Sequence, residues 1–92
     1  MAWKIRLDEK AEKQLDKLDR HIAERILAFL NKRLAPLDDP RSIGSDLKGS
    51  RLGEFWRYRV GDYRIVCRIE NEELLVLVVR IGHRRDIYKN RR

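Results

Sequence analysis

An α+β fold, with a β-α-α-β-β-β order and a helical hairpin on one face of an antiparallel-rich sheet, follows from three features of the sequence. Apolar residues alternate at first, then switch to helical spacing after Leu7. From Phe55 onward the alternation returns. Two short turn signals, Gly61-Asp62 and "ENEE", divide that second stretch into strands.

The opening "AWKIRL" sets Trp3, Ile5 and Leu7 against Ala2, Lys4 and Arg6, the pattern of a half-buried strand. Asp8 is placed to cap the helix that follows, in which Ala11, Leu15 and Leu18 recur at helical spacing. Asp19 is a second candidate cap and opens a longer helix with the stripe Ile22, Ile26, Phe29, Leu30, Leu34 and Leu37. With almost no linker between them, the two helices are expected to form a hairpin. Pro36, Pro40, Ser42, Gly44 and Ser45 mark a loop. "EFWRYRV" and "YRIVCRIE" flank the two-residue turn Gly61-Asp62 and read as a β-hairpin. The last strand, "LLVLVVRI", is apolar on both faces, with Leu74, Val76 and Val78 on one and Leu75, Leu77 and Val79 on the other. It suits an interior position, with the first strand as its second neighbour.

Ninety-two residues, 42% of them hydrophobic, suit one domain spanning 1–92. Charged residues make up 40% but interleave with apolar ones, which argues for a folded chain. There is no run of the roughly 20 apolar residues that a membrane span needs. "MAWKIRLDEK" contains no apolar signal core, and the lone Cys67 suits a reducing cytoplasm. One cysteine and two distant histidines argue against a metal site, and nothing calls for a cofactor. Net charge is +7 and lies mostly in the second half: residues 1–40 carry nine Lys/Arg against eight Asp/Glu, and residues 41–92 carry thirteen against seven. The excess there is mainly arginine, whose planar fork suits phosphate, so a polyanion such as nucleic acid is the expected partner.

Pairing Val60 with Tyr63 across the turn places Trp56, Tyr58, Ile65 and Cys67 on one apolar face. The other face carries Arg57, Arg59, Arg64 and Arg68, with Arg59 opposite Arg64. Like charges opposed across strands are destabilising, by up to ~1 kcal/mol, and anion binding is the natural compensation. The segment "IGHRRDIY" is expected to emerge beside these arginines. Cleaving RNA without a metal requires a base for the 2′-hydroxyl, cations for the phosphorane and an acid for the leaving 5′-oxygen. Arginines serve the second role but cannot act as base, because guanidinium stays protonated. Tyr88 and His83 are both candidates for the base.

"LKGSRLGEFWRYRVGDYRIVCRIENEELLVLVVRIGHRRDIY" closely resembles the second half of the RelE toxins of the RelE/ParE superfamily, and the element order extends the resemblance over the whole chain. The resemblance implies a toxin of a toxin–antitoxin system that enters the ribosomal A site, cuts mRNA there and halts translation. It also implies a cognate antitoxin as partner, with operator DNA reached only through the antitoxin complex. By position, Arg57 and Arg59 match two basic residues of the family, and Arg64 matches the arginine thought to hold the phosphate. Arg84 matches the arginine implicated at the leaving group, and Tyr88 the tyrosine proposed as base and stacking partner. His83 stays beside them as a catalytic candidate. Arg68, Arg85 and Lys48 join Arg57 and Arg59 as candidates for RNA-phosphate contacts. The best-known member carries lysines where this chain has Arg57 and Arg59. That keeps the charge but removes lysine acid/base chemistry from those positions, which makes Tyr88, with His83, more necessary. The alternative within the superfamily is a ParE-like toxin that inhibits DNA gyrase and cuts no RNA.

Overall fold

The structure, a computed structural model, describes residues 2–47 and 55–87. Strand β1 (Lys4–Leu7) leads into helices α1 (Glu9–Asp16) and α2 (Arg20–Ala28), and α2 continues through a π-helical turn at Phe29–Leu34. A 3₁₀ turn at Pro40–Ser42 precedes β2 (Ser45–Asp46). Strands β3 (Phe55–Val60), β4 (Tyr63–Glu70) and β5 (Leu75–His83) complete a five-stranded sheet in the order β1-β5-β4-β3-β2. β1 runs parallel to β5 and every other pairing is antiparallel, so the expected α+β class and the neighbour relation of the first and last strands both hold.

Both helices begin after an aspartate, but only one aspartate caps with its side chain. Asp8 Oδ1 accepts from the Ala11 amide at 2.9 Å. Asp19 makes no such bond, contrary to the sequence expectation. Its backbone carbonyl instead accepts from Ile22 and Ala23. The stripe on α2 is as the spacing predicts: Ile26, Leu30 and Leu34 are fully buried, with Ile22, Phe29 and Leu37 packed around them. The π-turn closes with the Ala35 amide donating to Leu30 O at 3.0 Å. Ile65, Cys67, Ile69, Val76, Val78 and Ile81 meet this stripe from the sheet, and each large side chain so buried contributes about 1.5–3 kcal/mol.

Two further details depart from the sequence reading. Ser45, expected in a loop, forms β2 with Asp46 against Arg57 and Trp56. Gly44 makes this possible. Its φ is +78°, and a Cβ there would stand 2.5 Å from Arg57 O and 2.7 Å from the Tyr58 ring. Gly44→Ala is therefore expected to destabilise the fold by about 2–4 kcal/mol, the sum of left-handed strain and overpacking, as read from urea midpoints at unchanged slope. The second departure lies in β5, where strict alternation fails. Val66 pairs with Arg80 but Cys67 pairs with Val78, which leaves Val79 as the extra residue of a β-bulge. Ile81 is thereby returned to the helix-covered face and Arg80 is sent to the other.

The core also holds two neutral acids. Cys67 and Tyr58 are almost completely buried, and burial raises the thiol above its ordinary 9.0 and the phenol above 10.0. The unfolded chain ionises these groups above those values while the folded chain keeps them protonated. Stability is thus fully present below pH ~9 and drains as pH rises beyond it, by up to ~1.4 kcal/mol per pH unit per group. Urea melts from about pH 8 to 11 should show this loss, and Cys67→Ala should delay its onset by about one unit.

Candidate functional site

The strand pairing places Arg57, Arg59, Arg64 and Arg68 on the face away from the helices, with Arg59 directly opposite Arg64. The bulge adds Arg80, opposite Val66, a residue the sequence reading did not single out. The only hint of it was one arginine interrupting "LLVLVVRI". The face is not purely polar. Val66 and Ile87 are buried at 5% exposure each, yet neither belongs to the helix-side core. Ile87 packs over Gly82, where a Cβ would meet Ile87 Cδ1 at 3.1 Å, and Gly82 pairs with Arg64. Guanidinium groups ringed about an apolar floor face a lower dielectric than isolated surface cations, which strengthens their attraction for an anion.

The arginines differ in how they are held. Arg64 is half-buried, and its Nη1 donates to Gly61 O and to Tyr63 O, both at 3.2 Å, so its guanidinium is fixed against the turn. Arg57 Nε donates to Ser45 Oγ at 3.2 Å, which ties it to β2. Arg80 Nη1 donates to Ile87 O at 3.1 Å. Arg59 is exposed and has no ion-pair partner among the described residues. Arg68 stands apart from the rest: its Nε lies 2.7 Å from Glu70 Oε2, which neutralises much of its charge.

The β3–β4 turn organises the edge of this face. Gly61 has φ +59° while Asp62 stays at negative φ, the pattern of a II′ hairpin turn. After β5 the chain doubles back and is pinned to that turn: the Arg84 amide donates to Asp62 O at 2.7 Å, and Arg84 Nε lies 3.6 Å from Asp62 Oδ1. Arg84 and Arg64 therefore attach to adjacent residues of one turn. Arg85 is exposed, its amide donating to His83 Nδ1 at 3.1 Å. Tyr88 and Lys48 lie outside the described residues.

His83 lies on the sheet face opposite Arg57, Arg59 and Arg64. It pairs with Tyr63 on the helix-side face, edge-on at 5.4 Å between ring centroids. It lines an open cleft of about 270 Å³ with Lys10, Gln14 and Arg80. At that point β1 has already ended, and Gln14 Oε1 accepts the otherwise unpaired Ile81 amide at 2.7 Å. A second cleft, of about 360 Å³, opens at the β3 edge between Arg57, Arg59 and Arg33, with Phe29 at its helix side. Arg33 is a further cation the sequence reading passed over, because it sits on the solvent side of a helix. Two other groups are unsuited to proton transfer or attack. Tyr58 donates its hydroxyl to Pro40 O at 2.6 Å, and burial holds both it and the Cys67 thiol in the neutral form. The indole N–H groups of Trp3 and Trp56 both end on backbone carbonyls, those of Asp38 and Ile43, as expected of packing residues.

Residues 5–88 match the family model described as the ParE toxin of the type II toxin–antitoxin system parDE. The chain is 32% identical to Toxin RelG of Mycobacterium tuberculosis over 89 residues, covering 97% of this chain and 99% of that protein. Among solved structures it resembles a chain of the RelBE2 toxin–antitoxin complex of M. tuberculosis, with a TM-score of 0.79, 28% identity, and 94% and 95% of the two chains covered. It also resembles the isolated RelE toxin of Escherichia coli, with a TM-score of 0.72, 25% identity, and 89% and 84% covered.

Proposed function

The chain belongs to the ParE toxin family of type II toxin–antitoxin systems, within the RelE/ParE superfamily, and from that premise we propose that it is a RelE-type, ribosome-dependent endoribonuclease that cuts mRNA in the A site. The observation that carries this reading is the guanidinium of Arg64, held by two backbone carbonyls beside Arg59, with Arg84 pinned to the same turn. Such an arrangement suits a phosphate that gains charge during reaction.

In the proposed reaction the 2′-oxygen attacks phosphorus, the bond to the 5′-oxygen breaks, and a 2′,3′-cyclic phosphate is left on the upstream fragment. Arg64, with Arg59 and Arg57, carries the charge that builds on the non-bridging oxygens. Arg84 stabilises the departing 5′-oxygen by hydrogen bonding while a water molecule protonates it, since guanidinium itself gives up no proton. Tyr88 takes the 2′-hydroxyl proton. No metal is needed. His83, on the other face, has no part in this scheme. Few groups here move protons, so orientation of the RNA by the ribosome supplies much of the rate. The RelE toxin of E. coli has been solved in an intact RelBE toxin–antitoxin complex. By likeness, a cognate antitoxin is the partner that silences this chain, and operator DNA is met only through that complex.

The family model's ParE description favours one other reading, inhibition of DNA gyrase without RNA cleavage. Cell-free translation with primer extension on the mRNA separates the two. Cuts at A-site codons that disappear in Tyr88→Phe and persist in His83→Gln are expected. Intact mRNA together with lost gyrase supercoiling would establish the alternative.

A further inference from the structure

We infer that Asp62 is the internal counterion of the arginine site: in the free protein its carboxylate holds Arg84, and an RNA phosphate takes its place. The inference rests on the reading of this face as an RNA-phosphate site.

Asp62 sits at the exposed tip of the β3–β4 hairpin, in a strongly basic setting. Arg64 bonds to the carbonyl of the preceding Gly61. From the helix side, the Arg25 guanidinium lies 3.3 Å from the point a Gly61 Cβ would occupy. Arg84 lies across the turn, its Nε 3.6 Å from Asp62 Oδ1. An acid at such a point repels RNA, and the fold does not require it there. The backbone bond from the Arg84 amide to Asp62 O, at 2.7 Å, already fixes the returning segment without any carboxylate.

The two links therefore do different work. The backbone link positions the segment. The side-chain link is long, and its partners are 53% and 68% exposed, so in water it is weak and readily exchanged. A phosphodiester competes well for Arg84, because it carries a full charge, offers two oxygens to the guanidinium fork and releases condensed counterions on binding. The carboxylate thus keeps Arg84 from weak anions and yields it to RNA.

Asp62→Asn removes the charge while keeping a residue type at home in hairpin turns. The test is fluorescence anisotropy with a labelled, uncleavable 2′-O-methyl single-stranded RNA, on wild type, Asp62→Asn, Arg84→Ala and the double variant. Asp62→Asn is expected to bind about three- to tenfold more tightly at low salt, with a gain that shrinks as salt rises and is absent in the Arg84→Ala background. In the ribosome assay the gain should appear in KM and not in kcat. Equal tightening with and without Arg84 would reduce the effect to net charge and overturn the inference, as would unchanged or weaker binding by Asp62→Asn. Wild-type protein that neither bound this RNA nor cut mRNA on ribosomes would bring down the RNA-site reading as well, whereas wild-type binding or cleavage with Asp62→Asn unmoved in Kd and KM would bring down this inference alone.

Discussion

Arg64→Ala is expected to slow mRNA cleavage by about 10²–10³-fold, the range found when one preorganised charge stabiliser is removed from a reacting centre. Arg64 bonds through Nη1 to two backbone carbonyls, those of Gly61 and Tyr63. Its geometry is therefore set before RNA arrives. Arg64→Lys should recover little, because a single ammonium nitrogen held by the two carbonyls leaves no second nitrogen to face a phosphate. Single-turnover cleavage on programmed ribosomes is the measurement. The stability of the variant should stay near wild type or rise slightly, since the repulsion across the Arg59–Arg64 pair is relieved. A loss below tenfold in a folded variant would remove Arg64 from the centre of the site.

The second large effect concerns stability. Tyr58→Ala should destabilise the fold by about 3–5 kcal/mol, as expected for a buried aromatic residue and a large share of the 5–15 kcal/mol typical of a domain. The ring is 1% exposed and packs tilted against Phe29 at 5.7 Å, and the hydroxyl bonds to Pro40 O. Tyr58→Phe keeps the ring and should cost only about 1–2 kcal/mol, the net worth of that bond plus an unsatisfied carbonyl. The loss reaches beyond the core. Pro40 begins the segment that leads through Gly44 to β2, and Ser45 of β2 holds Arg57. Partial unfolding of this segment should free Arg57 before the sheet melts. Guanidinium unfolding curves, followed by Trp56 emission in a Trp3→Phe background and by far-UV circular dichroism, should separate in the Tyr58→Ala variant and coincide where Tyr58 is kept.

What the sequence made legible follows from periodicity. Alternation in "WRYRVGDYRIVCR" and a two-residue turn fix the pairing, and pairing fixes faces, so the four hairpin arginines could be assigned one by one. Helical spacing did the same for Ile26, Leu30 and Leu34. Three features escaped for physical reasons. β2 is two residues long, and two residues carry no period; it exists because Gly44 lets the chain approach β3 closely. Asp19 has the right residue type before a helix, yet capping depends on a side-chain rotamer that sequence does not specify. The direction of His83 and the arrival of Arg80 both depend on the bulge at Val79. Nothing in a run of leucines and valines distinguishes the one that is skipped.

That bulge gives β5 something like a reading frame. Substitutions along the strand change one side chain at a time, and most neighbours absorb them. Val79 is the one residue this frame can spare: without it Val78 and Arg80 would be consecutive, Arg80 would still face Val66 and Ile81 would still return to the helices. Losing Gly82, beyond the bulge, would instead carry His83 onto the arginine face while every charge was kept. The strand thus absorbs a lost codon at one position and is reframed by the same loss three residues later.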